Sequence, residues 1–302
     1  KGEGWSEYLK GLINIYKNSK FKIFGWKGII AGNVPIGAGL SSSAALTLAL
    51  TRVFAKVSHL DWDPRQMARI CQLAENQWVG VNCGIMDQMI SASGQEDHVT
   101  LIDCRSLKTT PVPLPEEVRV VILDTCTRRG LVDSAYNERR KQCESVASYF
   151  GKKALRDVSY KQLNEAKTKI DHTQFKRARH VVQENERVLD CAESLRLGNF
   201  DHVGKLMNSS HKSLRDDFEV SSDALDLIVE NALKAPGCYG ARMTGAGFGG
   251  CAVALVETLK TEDFVKKVLK SYHSSTGKKA RLYVCKPSEG TSIYTKKEFT
   301  EH

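Results

Sequence analysis

Apolar residues return at helical spacing at Trp5, Leu9, Leu12, Ile13 and Tyr16, so the chain is expected to open with an amphipathic helix. Residues 21–33 are β-prone. After a cluster of glycines near position 37, residues 41–57 read as a helix with a small apolar face. Asp63 and Pro64 with Gln66 offer an N-cap, a proline at the first helical position and a partial capping box for a helix running to about Val79. Residues 98–104 and 118–124 alternate or cluster β-branched residues and read as strands. Between them, the turn-rich stretch 111–115 marks a domain boundary, so domains of 1–113 and 114–302 are expected. Helices follow over 134–150, 173–197, 201–214 and 222–234. The remainder holds a strand-like 240–243, a glycine loop, an apolar strand at 251–257, a helix at 261–272 and a strand at 280–285. Strand, strand, helix, strand predicts an α+β sandwich rather than a doubly wound parallel sheet.

Composition narrows the class. The 302 residues are 41% hydrophobic and 26% charged, which excludes disorder, collagen and fibre and suffices for a core without disulfide or metal staples. Nine scattered cysteines with no CxxC pair fit reduced thiols in the cytosol. The start, Lys1-Gly2-Glu3-Gly4, has no apolar signal segment and no Met, so the chain is expected to begin inside a longer protein. The longest uncharged run, 28–51, has the length of a membrane span but contains Pro35, several glycines and Ser41-Ser42-Ser43, which argues against a transmembrane helix. The net charge of +9 invites a nucleic-acid reading. Much of it sits in 151–180, where nine Lys or Arg face three acids without interleaved aromatics or a recognition motif, the pattern of a solvated helical face. No nucleic-acid or membrane partner is expected, and the protein is expected to be a monomer.

Three segments carry candidate chemistry. Pro35-Ile36-Gly37-Ala38-Gly39-Leu40-Ser41-Ser42-Ser43-Ala44-Ala45 runs directly into an apolar helix. Glycines allow close backbone approach to an anion, and a helix N-terminus offers unpaired N–H groups, so this reads as a phosphate cradle, or else as a flexible loop with a serine cap. No GxxxxGK[ST] occurs, so the cradle is not of Walker type. Gly245-Ala246-Gly247-Phe248-Gly249-Gly250 satisfies GxGxxG, but a strand rather than a helix follows it, which removes the dinucleotide reading. It is either a hairpin turn or a backbone wall, formed by Gly245, Gly247 and Gly249, beside a ligand. In Gly80-Val81-Asn82-Cys83-Gly84-Ile85-Met86-Asp87-Gln88 one carboxylate stands among apolar and glycine residues, as a cap or as a catalytic group.

Taken together these segments resemble the GHMP small-molecule kinases, and within them the galactokinases. GAGLSSSAA, CGIMDQ, Tyr136 followed by Asn137-Glu138-Arg139-Arg140, the run from Arg179 to Asn185, Ser210-His211 and the run from Met243 to Gly250 come in family order. The resemblance implies an N-terminal α+β domain of the ribosomal S5 domain 2 type, a ferredoxin-like C-terminal domain and an active site between them. It implies that Gly37, Ala38, Gly39, Leu40, Ser41, Ser42 and Ser43 wrap the phosphates of ATP, and that Ser43 and Glu75 hold Mg²⁺. It also implies that Asp87 faces the anomeric hydroxyl of galactose as base or orienting group, and that Cys83, Gly84 and Tyr136 line the sugar. The implied reaction gives galactose 1-phosphate and ADP. The alternatives are a non-catalytic galactose and ATP sensor, disfavoured by the intact Ser43-Ala44-Ala45, and a kinase for N-acetylgalactosamine or arabinose. Galactokinases also carry an N-terminal Arg and a Gly-Glu-His-x-Asp signature that contact the sugar. Nothing in residues 1–20 matches it, so the chain is expected to start downstream of that segment and, as it stands, to catalyse poorly.

Overall fold

The structure is a computed structural model that describes residues 2, 4–36, 39–81, 83–127 and 132–294. The chain divides into two compact units, one of residues 1–36, 40–113 and 287–302, the other of 37–39 and 114–286. The second domain was expected to run unbroken to 302. Instead the stretch from Pro287 returns to the first unit, where Thr291 donates its backbone N–H to the Ser91 carbonyl at 2.7 Å and Gly290 donates to that of Gly94 at 2.9 Å.

The first unit is built from α1 (Ser6–Lys17), α2 (Ser42–Val57), α3 (Pro64–Leu73) and α4 (Met86–Ser93), followed by a hairpin of β1 (His98–Asp103) and β2 (Lys108–Pro113). Leu12, Tyr16, Leu48, Phe54, Met67 and Met89 close its core, and the helical spacing of the apolar residues in α1 to α4 puts them there. Asp63 caps α3 as the sequence predicts, accepting the Arg65 N–H at 3.0 Å with Pro64 at the first helical position. Two expectations need correction. The β-prone stretch 21–33 forms no strand; its Phe24 N–H goes to the Ser58 hydroxyl at 2.8 Å, and β propensity without a neighbouring strand makes no ladder. Residues 111–113, expected in a turn, are the end of β2, with Pro111 opposite Thr100 and Pro113 opposite His98. In a two-stranded sheet β2 has an outer edge, where a missing N–H costs nothing.

The second unit contains β3 (Val118–Asp124), α5 (Val132–Tyr149), α6 (Tyr160–Glu165), α7 (His172–Arg196), α8 (Phe200–Ser213), α9 (Asp223–Leu233), β4 (Cys238–Met243), β5 (Cys251–Glu257), α10 (Thr261–Thr276) and β6 (Arg281–Cys285). Its four strands are antiparallel in the order β4-β5-β3-β6. With α9 and α10 as its crossovers this is the ferredoxin-like βαββαβ path. Val121 and Leu123 of β3 and Ala252, Ala254 and Val256 of β5 send their side chains into one core with Leu225 and Ile228 of α9 and Phe264, Val268 and Tyr272 of α10. Among the described residues no helix is long and apolar enough to cross a membrane.

Candidate active site

In the first unit the helix that starts at Pro64 does not end cleanly. Residues Ala74–Val79 form a turn of π-helix, a local insertion that often accompanies function. The sequence predicts an ordinary helix here. Gly80, at φ +96°, ends the turn, and the N–H groups of Gly80 and Val81 both donate to the Glu75 carbonyl, at 2.8 and 3.1 Å. The Glu75 side chain points inward and is 2% exposed. Its Oε1 accepts from the Gln88 amide at 2.8 Å, and the Ser43 hydroxyl lies close enough to the carboxylate to favour its charged form. Burial raises its pKa, the Gln88 amide and the Ser43 hydroxyl oppose the rise, and the neighbouring Asp87 charge adds to it. Among the described residues no cation pairs with it.

Asp87 sits in the first turn of α4, where the helix dipole favours a negative charge. It is half-buried, and among the described residues nothing donates a hydrogen bond to it. Cys83 is tied down on every side: its N–H and Sγ lie 3.1 and 3.3 Å from Asn76 Oδ1, and its carbonyl accepts from the Gln72 amide at 3.1 Å. Burial pushes its thiol up to about 11, so it is protonated at neutral pH and unreactive. Gly84 is exposed, and a Cβ added to it would meet no protein atom within 4 Å. The structure therefore brings Ser43, Glu75, Cys83 and Asp87 together.

Of the glycine-rich segment, Gly37 and Ala38 lie outside the described residues. Gly39 has φ +74°, groups with the second unit and has open space where a side chain would be. Leu40 is half-buried, and Ser41, at φ +60°, precedes α2 without capping it through its side chain. Ala45 is the first residue whose N–H is returned to the helix, to the Ser41 carbonyl at 3.0 Å, and the amides before it in α2, including those of Ser42 and Ser43, are left for an acceptor.

The remaining candidates belong to the second unit. Tyr136 lies on α5 and is 38% exposed. Gly245, Gly247 and Gly249 lie in the link between β4 and β5. Two of these glycines answer to their own unit: a Cβ on Gly247 would come 2.1 Å from the Val220 carbonyl oxygen, and one on Gly249 would come 2.9 Å from that of Thr127. Phe248 donates its N–H to the same Val220 carbonyl at 2.7 Å.

Val220 follows a second π-turn, Leu214–Phe218, ended by Glu219 at φ +54°. Here the expectation of a solvated basic face over 151–180 fails at its end. Arg177, 2% exposed, donates to the Asp217 carbonyl at 2.5 Å and to the Glu219 carboxylate at 2.7 Å. Arg179 pairs with the Asp217 carboxylate and Lys176 with that of Glu219 at 2.7 Å. Arg139 donates to the Phe218 carbonyl at 2.7 Å. His180 stacks on Phe218 with centroids 4.8 Å apart and meets the Ser213 hydroxyl at 3.0 Å, and burial lowers its pKa to about 4. Sequence reasoning missed this clamp, Asn76 and the amide of Gln88; the nearest signal was the position of Gln88 directly after Asp87 in the quoted motif.

The oxygen donors of Ser43 and Glu75 suit a hard cation. A buried carboxylate with only an amide and a hydroxyl for company lacks the counter-charge that such groups usually have, and Mg²⁺ is commonly held by one or two protein oxygens together with substrate phosphates.

Comparison with known proteins adds independent findings. Residues 7–95 match the GHMP kinases N terminal domain, and residues 191–275 match the GHMP kinases C terminal family. A galactokinase of Mannheimia succiniciproducens is 44% identical over 296 residues, which cover 96% of this chain and 77% of that protein. The crystal structure of Lactococcus lactis galactokinase complexed with galactose superposes with a TM-score of 0.91 at 36% identity, covering 97% of this chain and 78% of that one. A mevalonate kinase of L. major, solved with R-mevalonate, has a TM-score of 0.56 at 18% identity, covers 94% of this chain and 78% of its own, and shows the shared fold alone.

Proposed function

The chain belongs to the galactokinase family of the GHMP kinases and is an enzyme that phosphorylates galactose with ATP, and from that premise we propose which residues do the work. Asp87 receives the anomeric hydroxyl of the sugar, orienting it or taking its proton, and the product is galactose 1-phosphate. Its carboxylate is partly accessible and has no hydrogen-bond donor among the described residues, which leaves its lone pairs for a substrate hydroxyl. Residues Gly37 to Ser43 hold the phosphates of ATP. The unspent amides at the start of α2 and the left-handed Gly39 and Ser41 support this. Ser43 and Glu75 would hold Mg²⁺, which when bound neutralises charge on the phosphates. Cys83 and Gly84 present backbone to the sugar. The fold does not itself call for a glycine at Gly84, whereas a substrate lying against that backbone does.

Tyr136 is taken as a hydrogen-bonding partner of the sugar and the Gly245, Gly247 and Gly249 loop as a wall beside the ligands. The family order of their motifs supports this assignment. The protein is further read as a cytosolic monomer, with its nine free cysteines in keeping with a reducing compartment. The observation that carries the reading is the juxtaposition of a half-buried Asp87 with a buried Glu75, neither of which has a cationic partner among the described residues. Phosphoryl transfer asks the protein mainly for positioning and charge neutralisation, so a base contributes a factor on the order of 10² to 10⁴. Asp87→Asn is therefore expected to lower galactose-dependent ADP release by that factor while a fluorescent ATP analogue binds as before. Near-normal turnover of this variant would remove Asp87 from the mechanism. A panel of galactose, N-acetylgalactosamine and arabinose in the same assay checks the sugar.

A further inference from the structure

Gln88 follows Asp87 on α4 and is 1% exposed. Its Nε2 donates to Glu75 Oε1 at 2.8 Å and lies 3.6 Å from Cys83 Sγ, while its Oε1 is buried with no partner among the described residues. An ionised carboxylate only accepts hydrogen bonds, so the NH₂ side of the amide must face Glu75 and the orphaned carbonyl follows from that. A buried amide with one end unsatisfied is a poor choice for packing alone, because an apolar side chain of the same length would fill the space without stranding an acceptor. The arrangement makes sense if Glu75 needs a donor at that place. Glu75 projects from a π-turn, whose inserted residue alters the direction of its side chains, and Gln88 is fixed on the regular helix that also bears Asp87.

We propose that Gln88 is a positioning residue which fixes the Glu75 carboxylate in the orientation that receives the divalent cation and ties it to the helix carrying Asp87. This rests on the assignment of Glu75 to the cation made above. Gln88 touches no reacting atom in this scheme and acts through Glu75.

The test uses the whole chain with Mn²⁺ as a paramagnetic probe and a non-hydrolysable ATP analogue, with free Mn²⁺ read by electron paramagnetic resonance. Gln88→Met keeps the length and removes the donor. It is expected to weaken Mn²⁺ binding about tenfold, to raise the Mg²⁺ concentration for half-maximal activity and to lower kcat, with the KM for galactose unchanged. In a Glu75→Gln background the same substitution is expected to add nothing, because the group it serves is gone. Should Gln88→Met fail to fold, Gln88→Asn, one methylene shorter, retains a polar amide that no longer reaches Glu75 and carries the same expectation. Equal weakening in both backgrounds, or unchanged Mn²⁺ binding in Gln88→Met, overturns the inference about Gln88. If Glu75→Gln alone leaves Mn²⁺ binding intact, the cation assignment itself has failed and the inference falls with it, an outcome recognisable from that single variant.

Discussion

The π-turn at Ala74–Val79 and the π-turn at Leu214–Phe218 share one local distortion, yet their acidic groups live in different company. Glu75 is buried with an amide and a hydroxyl, and no cation among the described residues. Around the second turn, Arg139, Lys176, Arg177 and Arg179 saturate two carboxylates and three carbonyls, and the next carbonyl, that of Val220, receives Phe248 of the glycine loop. One turn is left electrostatically incomplete. The other is complete and serves as a support. A distorted helix alone thus identifies no site; the state of its charges does. The burial of Glu75 without a counter-charge among the described residues is a stability cost that a ligand can relieve, whereas the carboxylates of the clamp already have theirs.

The two turns should respond to mutation with opposite sign. Arg177→Met strips a buried guanidinium from the Asp217 carbonyl and the Glu219 carboxylate, and is expected to cost about 3 kcal/mol or more in urea unfolding. An unchanged midpoint would mean that the clamp is ornamental.

A second effect follows from His180, whose folded pKa of about 4 lies below the ordinary 6.5. Between those values the unfolded chain binds a proton that the folded one refuses, so stability falls as pH drops from about 6.5 and levels off below about 4. The loss is about 3 kcal/mol in all. Burial is the main cause, with Glu184 and Asp217 opposing it and Arg187 and Arg242 reinforcing it. His180→Gln is expected to flatten that part of the stability profile, and a profile with the wild-type slope would contradict the assignment.

How much of this contrast could be read in the chain itself depends on the range over which each feature is encoded. The helix after Ser41 and the cap at Asp63 are written in a few neighbouring residues, and both are found as expected. The π-turn leaves no periodic trace in six residues, so apart from the family resemblance Glu75 reads as an ordinary helical glutamate until the backbone is seen. A count of basic residues cannot tell that Arg177 faces inward while others face water, because its partners lie some forty positions away. Gln88 is legible as part of a motif and illegible as a partner of Glu75, thirteen residues earlier. The strand β2 is hidden by its own prolines, which signal a turn anywhere except on a sheet edge. The segment 21–33 has β propensity, but a ladder depends on a neighbour that local sequence does not specify.

The smallest expected effect sharpens the first unit's side of the comparison. Gly84→Ala adds a methyl group into open space at a residue without positive φ, so stability should stay level or rise by up to about 1 kcal/mol. The KM for galactose should nonetheless rise severalfold if the sugar lies against that backbone, as steady-state kinetics will show; an unchanged KM removes Gly84 from the sugar site.

The most direct test of the contrast is the melting temperature of Glu75→Gln, with and without Mg²⁺ and a non-hydrolysable ATP analogue. Removing a buried charge that has no counter-ion should raise the melting temperature of the bare protein, by an amount equivalent to about 1–3 kcal/mol, and should abolish most of the stabilisation that the metal–nucleotide pair gives the wild type. A bare variant that melts lower than the wild type, yet gains as much from Mg²⁺ and nucleotide, would show that Glu75 is a structural acid and that the cation is held elsewhere.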